Sequence, residues 1–178
     1  MNRLVLVLFL ISLAGLLPGN SAARAQETTN GWAAFQYLVG DWVGEGEGQP
    51  GQGAGGFSFY PDLQNRILVR KNHASYPPTK DRPGFSHDDL MVVYRESDNA
   101  PPKAVYFDNE GHVIHYSVDV SPDRKRIEFV SEALPSSPRY RLTYVMTGDN
   151  RLALKFEIAP PGKPDSFSTY IEAKAKRK

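Results

Sequence analysis

From Trp42 onward, apolar and polar residues alternate in short runs separated by Gly, Pro, Asn and Asp, and no window carries the period of an amphipathic helix. Ten runs read as strands: DWVGEGEG, GFSFY, RILVRKN, LMVVYRE, AVYFD, HVIHYSVDV, RIEFVSE, RYRLTYVMT, RLALKFEIA and SFSTYIEAKA. Turns as short as DNEG (Asp108 to Gly111), SPDRK (Ser121 to Lys125) and TGDN (Thr147 to Asn150) join only antiparallel neighbours, which predicts an up-and-down meander. An open ten-stranded meander exposes two edges and closure removes them, so the expected architecture is all-β: a closed antiparallel barrel. Leu152, Leu154, Phe156 and Ile158 share one face of their strand, and Arg151, Ala153, Lys155 and Glu157 share the other. LMVVY and AVYF are apolar on both faces, which calls for an outer cover, either a helix or a second copy of the chain in a homodimer. The one helical candidate is TNGWAAFQYLVG, two or three turns capped by Thr29 or Asn30 and stopped by Gly40.

The first residues stand apart. A basic start at Arg3, an apolar stretch from Leu4 to Leu17 and Ala23-Arg24-Ala25 make a secretory signal over residues 1–25, leaving a single barrel domain over 26–178. The expected location is periplasmic or secreted, with no membrane anchor after cleavage. Cleavage would remove two arginines and no acid, turning a net charge of +1 into −1. With basic residues concentrated only in the terminal KAKRK, a nucleic-acid partner is not expected. There is no cysteine, so packing and sheet closure must supply the stability that disulfides give many exported domains.

The glycine-dense stretch Leu38 to Gly56 contains a literal G-x-G-x-x-G, Gly46 to Gly51. A dinucleotide fingerprint follows a strand and opens a helix, whereas this one contains Pro50, carries Glu45 and Glu47, and runs into GFSFY. Gly44, Gly46 and Gly48 alternate with Val43, Glu45 and Glu47, so one face of the strand has no side chains and can bend sharply or leave room for a guest.

FQYLVGDWVGEGEGQPG resembles the opening of nitrobindin-like barrels, in which a short helix leads into a G-x-W-x-G-x-G strand, here Gly40, Trp42, Gly44 and Gly46. It is similar also to a family of uncharacterised bacterial proteins with a lipocalin-like barrel, through RILVRKN, HDDLMVVY, YFDNEGHVIHYSV and YIEAKAKR. In the wider calycin superfamily this tryptophan plugs the barrel base and meets a basic residue near the last strand, roles that the resemblance places on Trp42 and on Arg177 or a neighbouring lysine. Nitrobindins bind haem through a histidine near the chain end, and the resemblance puts Tyr170 there. Tyrosinate can ligate haem iron, but alternation groups Tyr170 with Ser168, Glu172 and Lys174 on a polar face. The expectation is therefore a protein without a cofactor, with haem as the option that the resemblance leaves.

There is no G-x-S-x-G, no cysteine and no H-E-x-x-H. His112 and His115 lie three apart on a strand and point to opposite faces. His87, Asp88 and Asp89 sit at the end of a long loop, His73 to Asp89, where they read either as a cation or general-base cluster or as a solvated loop end. One of Arg70 and Lys71 must face inward; a buried arginine needs an internal acid or a ligand carboxylate, while an outward Arg70 would sit in water. The candidate ligand contacts are Arg70, His87, Tyr106, His115 and Tyr170. The function expected is binding of a small hydrophobic or amphipathic ligand in the lumen. The alternatives are a proton-transfer enzyme using His115 or His87 with Arg70 as anion clamp, and an envelope interaction module.

Overall fold

Ten antiparallel strands form in chain order: β1 (Gly40–Gly44), β2 (Ala54–Asp62), β3 (Ile67–Tyr76), β4 (Phe85–Tyr94), β5 (Lys103–Asp108), β6 (Val113–Val120), β7 (Arg126–Ser131), β8 (Arg139–Gly148), β9 (Arg151–Ala159) and β10 (Ser168–Arg177). This computed structural model describes residues 31–46 and 53–178. The expected leader over 1–25, the caps Thr29 and Asn30, and Gly48 lie outside the described residues. Each strand pairs with its sequence neighbours, and β10 closes the barrel on β1 by setting Trp42 opposite Arg177 and Gly44 opposite Ala175. Closure satisfies the strand edges that an open meander would leave free. Among the described residues, no helix is long and apolar enough to cross a membrane.

The interior changes character from one end to the other. At the closed end, Phe59, Leu68, Val93, Ile127 and Tyr144 are fully buried, and Phe35 and Leu38 insert from the segment before β1. This half is filled by side chains, with Phe57, Phe59, Phe129 and Tyr144 meeting edge to face. Toward the other end, inward positions such as Asn72, Ile114, Tyr140 and Phe156 are only half-buried. Inward-facing Ala173, opposite Leu154, is exposed there.

Four expectations change. The helix shrinks to a single 3-10 turn, Ala33–Phe35, because Trp32 at its cap position offers no side-chain hydrogen bond and Gly40 ends the segment a few residues later. That turn seals the barrel end, so it does not cover the outer faces of β4 and β5, where Phe107 is left 42 % exposed. The long loop before LMVVY is mostly strand: β3 and β4 continue pairing to Tyr76 opposite Phe85, whose rings stack at 4.5 Å. The connection is only residues 77–84, where Pro77, Pro78 and Pro83 have no N–H to continue the ladder. Finally, a bulge between Thr169 and Ile171 breaks the alternation of β10, so Ser168 pairs with inward Ile158 while Glu172 and Lys174 face out.

Candidate functional site

At the closed end, Trp42 does what a plug requires. Its ring stacks on Phe57 and its Nε1 donates to the Leu38 carbonyl at 2.8 Å. The Arg177 guanidinium lies over the same ring and donates to the carbonyls of Tyr37 and Val39. Gly40, at φ +123°, leaves the space that this guanidinium fills, since a Cβ there would overlap Arg177 Nη1. Gly44 and Gly46 are different: a Cβ at either meets only ordinary contacts, 3.4 and 3.5 Å from neighbouring carbonyls. The tight approach is on the next strand, where a Cβ at Gly56 would overlap the Trp42 carbonyl.

The polar chemistry lies halfway up the lumen on adjacent strands β3, β4 and β5. Once His87 and Asp89 belong to a strand, they point inward with Met91 and Val93, while Asp88 points out and pairs with exposed His73 at 2.7 Å. Arg70, 5 % exposed, is the inward member of its pair with Lys71, and Asp89 is its internal acid. Asn72 donates to the other Asp89 oxygen at 2.9 Å. His87 Nε2 lies 3.5 Å from Asp89 and 3.0 Å from the Tyr106 hydroxyl, while Nδ1 meets Glu110 at 3.0 Å. Tyr106 also reaches Asp108 at 3.3 Å. Asp108 in turn accepts from the backbone N–H groups of Glu110 and His112 and contacts the His112 ring at 2.8 Å.

The protonation states follow from burial and neighbours. Burial disfavours the Arg70 charge, and Tyr144 and Asp89 more than restore it. Burial pushes the Tyr106 phenol far above its ordinary value, and the carboxylates of Asp89 and Asp108 push it further, so it is a neutral hydrogen-bonding group. Tyr144, fully buried beside Arg70, is pushed up to about 12 by burial, with the guanidinium pulling it back in part. Its hydroxyl and the Arg70 Nε are buried without a hydrogen-bond partner of good geometry. Burial also works against the Asp108 carboxylate, but the His112 hydrogen bonds outweigh it and hold its pKa below the usual range.

Three of the five candidate contacts, Arg70, His87 and Tyr106, therefore converge on one wall. His115 does not: it is exposed on the outer face of β6, because inward Tyr116 and Val118 set the alternation. Tyr170 is the extra residue of the β10 bulge, 69 % exposed on the rim, with its ring edge-on to Phe156. The site is completed by Asp89, Asn72, Asp108 and Glu110: the reading of 73–89 as a loop left the inward direction of Asp89 undetermined, and Asp108 and Glu110 figured only as turn residues. Extending the alternation of LMVVY back by three residues would have placed His87 and Asp89 inward.

Opposite this wall, five strands round the barrel, stand β8, β9 and β10. They present Tyr140 stacked on Phe156 at 5.9 Å, with Leu154 and Ile171. Outside, a shallow trough of about 730 Å³ crosses β1 to β5 over Asp41, Lys71, His73 and Asp88, whose charged groups are exposed and of both signs. Among the described residues, no group of three or more His, Cys, Asp or Glu is arranged to hold a metal ion.

The chain matches no known family profile and no curated protein. Among solved structures, it is similar to Rv2717c from M. tuberculosis, known from its crystal structure, with a TM-score of 0.54 and 13 % identity over 84 % of this chain and 98 % of that one. At that identity, the likeness is one of fold.

Proposed function

We propose that this barrel is an exported binding protein that holds one small amphipathic molecule in the open half of its lumen. The observation that carries the reading is the two-sided lining: above a filled base, a hydrogen-bonding wall on β3 to β5 faces an apolar wall of half-buried Tyr140, Leu154 and Phe156, with Ile171 exposed at its edge. A site with an apolar body and a few convergent polar groups suits a ligand with one polar end. The Trp42–Arg177 lock supports kinship with lipocalin-like and nitrobindin-like barrels, in which that pair is structural. Haem is not part of this reading. Both His87 ring nitrogens are engaged, His115 faces outward, and Tyr170 stands exposed on the rim.

A neutral fluorescent probe, N-phenylnaphthylamine, tests the proposal. Saturable enhancement at one site per chain is expected, with loss in Ala173→Trp, which fills the open half. Equal binding in that variant would put the probe outside the lumen and end the reading. A second reading, proton-transfer catalysis, is favoured by the His87–Tyr106 contact of 3.0 Å with Glu110 orienting the far ring nitrogen. It predicts turnover of a small carbonyl compound that disappears in His87→Gln.

A further inference from the structure

From the charges on the polar wall, we infer that the lumen selects a ligand with a cationic head, such as an alkyl ammonium, over one with a carboxylate. The inference rests on the lumen reading above and adds the sign of the ligand. The wall holds three carboxylates, Asp89, Asp108 and Glu110, against one permanent cation, Arg70, whose charge is already met by Asp89. A second arginine, Arg82, lies at the rim over the Phe85 ring at 4.3 Å, away from the Asp89 floor. The remaining basic groups facing the wall are the imidazoles of His87 and His112, each already set against a carboxylate. A buried arginine with no acid would have called for an anionic ligand. Here the anion is built in, and an incoming carboxylate would meet like charge with no free cation at the floor.

Counting hydrogens shows that the wall also wants a donor. Glu110 as a carboxylate only accepts, so the His87 Nδ1 must carry a hydrogen. The phenol of Tyr106 has one hydrogen for two neighbours, His87 Nε2 and Asp108. With His87 neutral, one of those contacts goes unfilled; both are filled only when His87 is an imidazolium that donates from Nε2. The wall is thus one hydrogen short in its neutral form. The Tyr144 hydroxyl is wholly buried at the floor beside Arg70, whose Nε is likewise without a partner of good geometry, so this adjacent pair does not set the sign of the ligand. An ammonium head brings N–H donors and positive charge to this wall, and the facing rings of Tyr140 and Phe156 are surfaces on which a cation rests favourably.

The test is calorimetric titration with octylamine, octanoate and octanol, all at the same pH of about 8. Octylamine is expected to bind at least about ten-fold more tightly than octanoate, a difference of about 1.4 kcal/mol. Glu110→Lys, at a half-exposed turn position, is expected to erase that preference, read as the ratio of octylamine to octanoate affinity. Octanoate binding as tightly as octylamine, with octanol also bound, overturns the head-group inference and leaves the lumen reading standing. Failure of all three probes to bind overturns both.

Discussion

The Arg177 guanidinium sits 4.5 Å from the centre of the Trp42 ring, on residues paired across the seam where the last strand meets the first. The contact joins residues at opposite ends of the described chain, so it forms only when the barrel closes. Gly40→Ala tests it without touching either partner, since the new Cβ meets the guanidinium and the residue must hold φ +123°. A loss of about 2–4 kcal/mol is expected from strain and the displaced arginine. Urea unfolding monitored by tryptophan fluorescence measures it, and Gly44→Ala, which has room, is the control with less than about 1 kcal/mol lost.

Arg70 and Asp89 are an ion pair taken out of water, and pairs of this kind respond asymmetrically to mutation. Arg70→Met leaves Asp89 buried without its cation and is expected to cost about 3–5 kcal/mol. Adding Asp89→Leu removes the stranded charge and is expected to restore most of that loss, which chemical denaturation of the single and double variants measures. A double variant no more stable than Arg70→Met would place the energy in the packing of Arg70 against Phe57, over whose ring it lies at 5.5 Å.

Strand count and closure could be read in the sequence, because alternation and turn residues are local signals; the family resemblance offered Arg177 or a neighbouring lysine as the partner of Trp42, and only the register of β1 on β10 sets Arg177 opposite it. The extent of β3 and β4 could not, since Tyr76, Phe85 and the histidines between them are stabilised as strand by partners across the hairpin. Proline and charge in 77–84 dominate the local signal and made His87 and Asp89 look like loop residues. The bulge at Tyr170 was hidden for a related reason. One extra residue on β10 is visible only against the register of β9, and it moves Tyr170 off the polar face that simple alternation assigned to it. Arg70 was legible as one of a pair, and only its acid partner decides which way it points.

Glu157 faces outward on β9 yet is buried beneath the side chains of Arg141 and Lys155, which bond it at 2.7 and 3.0 Å. The Arg141 hydrogen bond, with that of Lys155, outweighs burial and lowers its pKa from the ordinary 4.5. A folded-state pKa below the unfolded value adds stability that is complete above about pH 4.5 and is lost as pH falls through the folded value. Glu157→Gln is therefore expected to flatten the acid side of the stability profile. Urea midpoints collected downward from neutral pH read this directly, and parallel profiles for the two proteins would contradict it.

The alkaline limit should be set by phenols. Burial raises the pKa of Tyr37, Tyr106, Tyr116 and Tyr144, and Asp89 adds to the effect at the last three. All four bind their proton more tightly folded than unfolded. They contribute stability that is fully present below an unfolded phenol's value of about 10 and is lost as pH rises toward the folded values. Tyrosinate absorbance of the native protein should accordingly lag behind that of the chain in guanidinium and then rise together with loss of the tryptophan signal from Trp42. Tyr106→Phe removes one of the four protons and, with it, the hydrogen bonds to His87 and Asp108. The alkaline transition should become shallower by one group even if the midpoint in urea at neutral pH falls. A transition of unchanged steepness would mean that Tyr106 ionises in the folded barrel, and the polar wall would then tolerate an anion at the position assigned here to a cation.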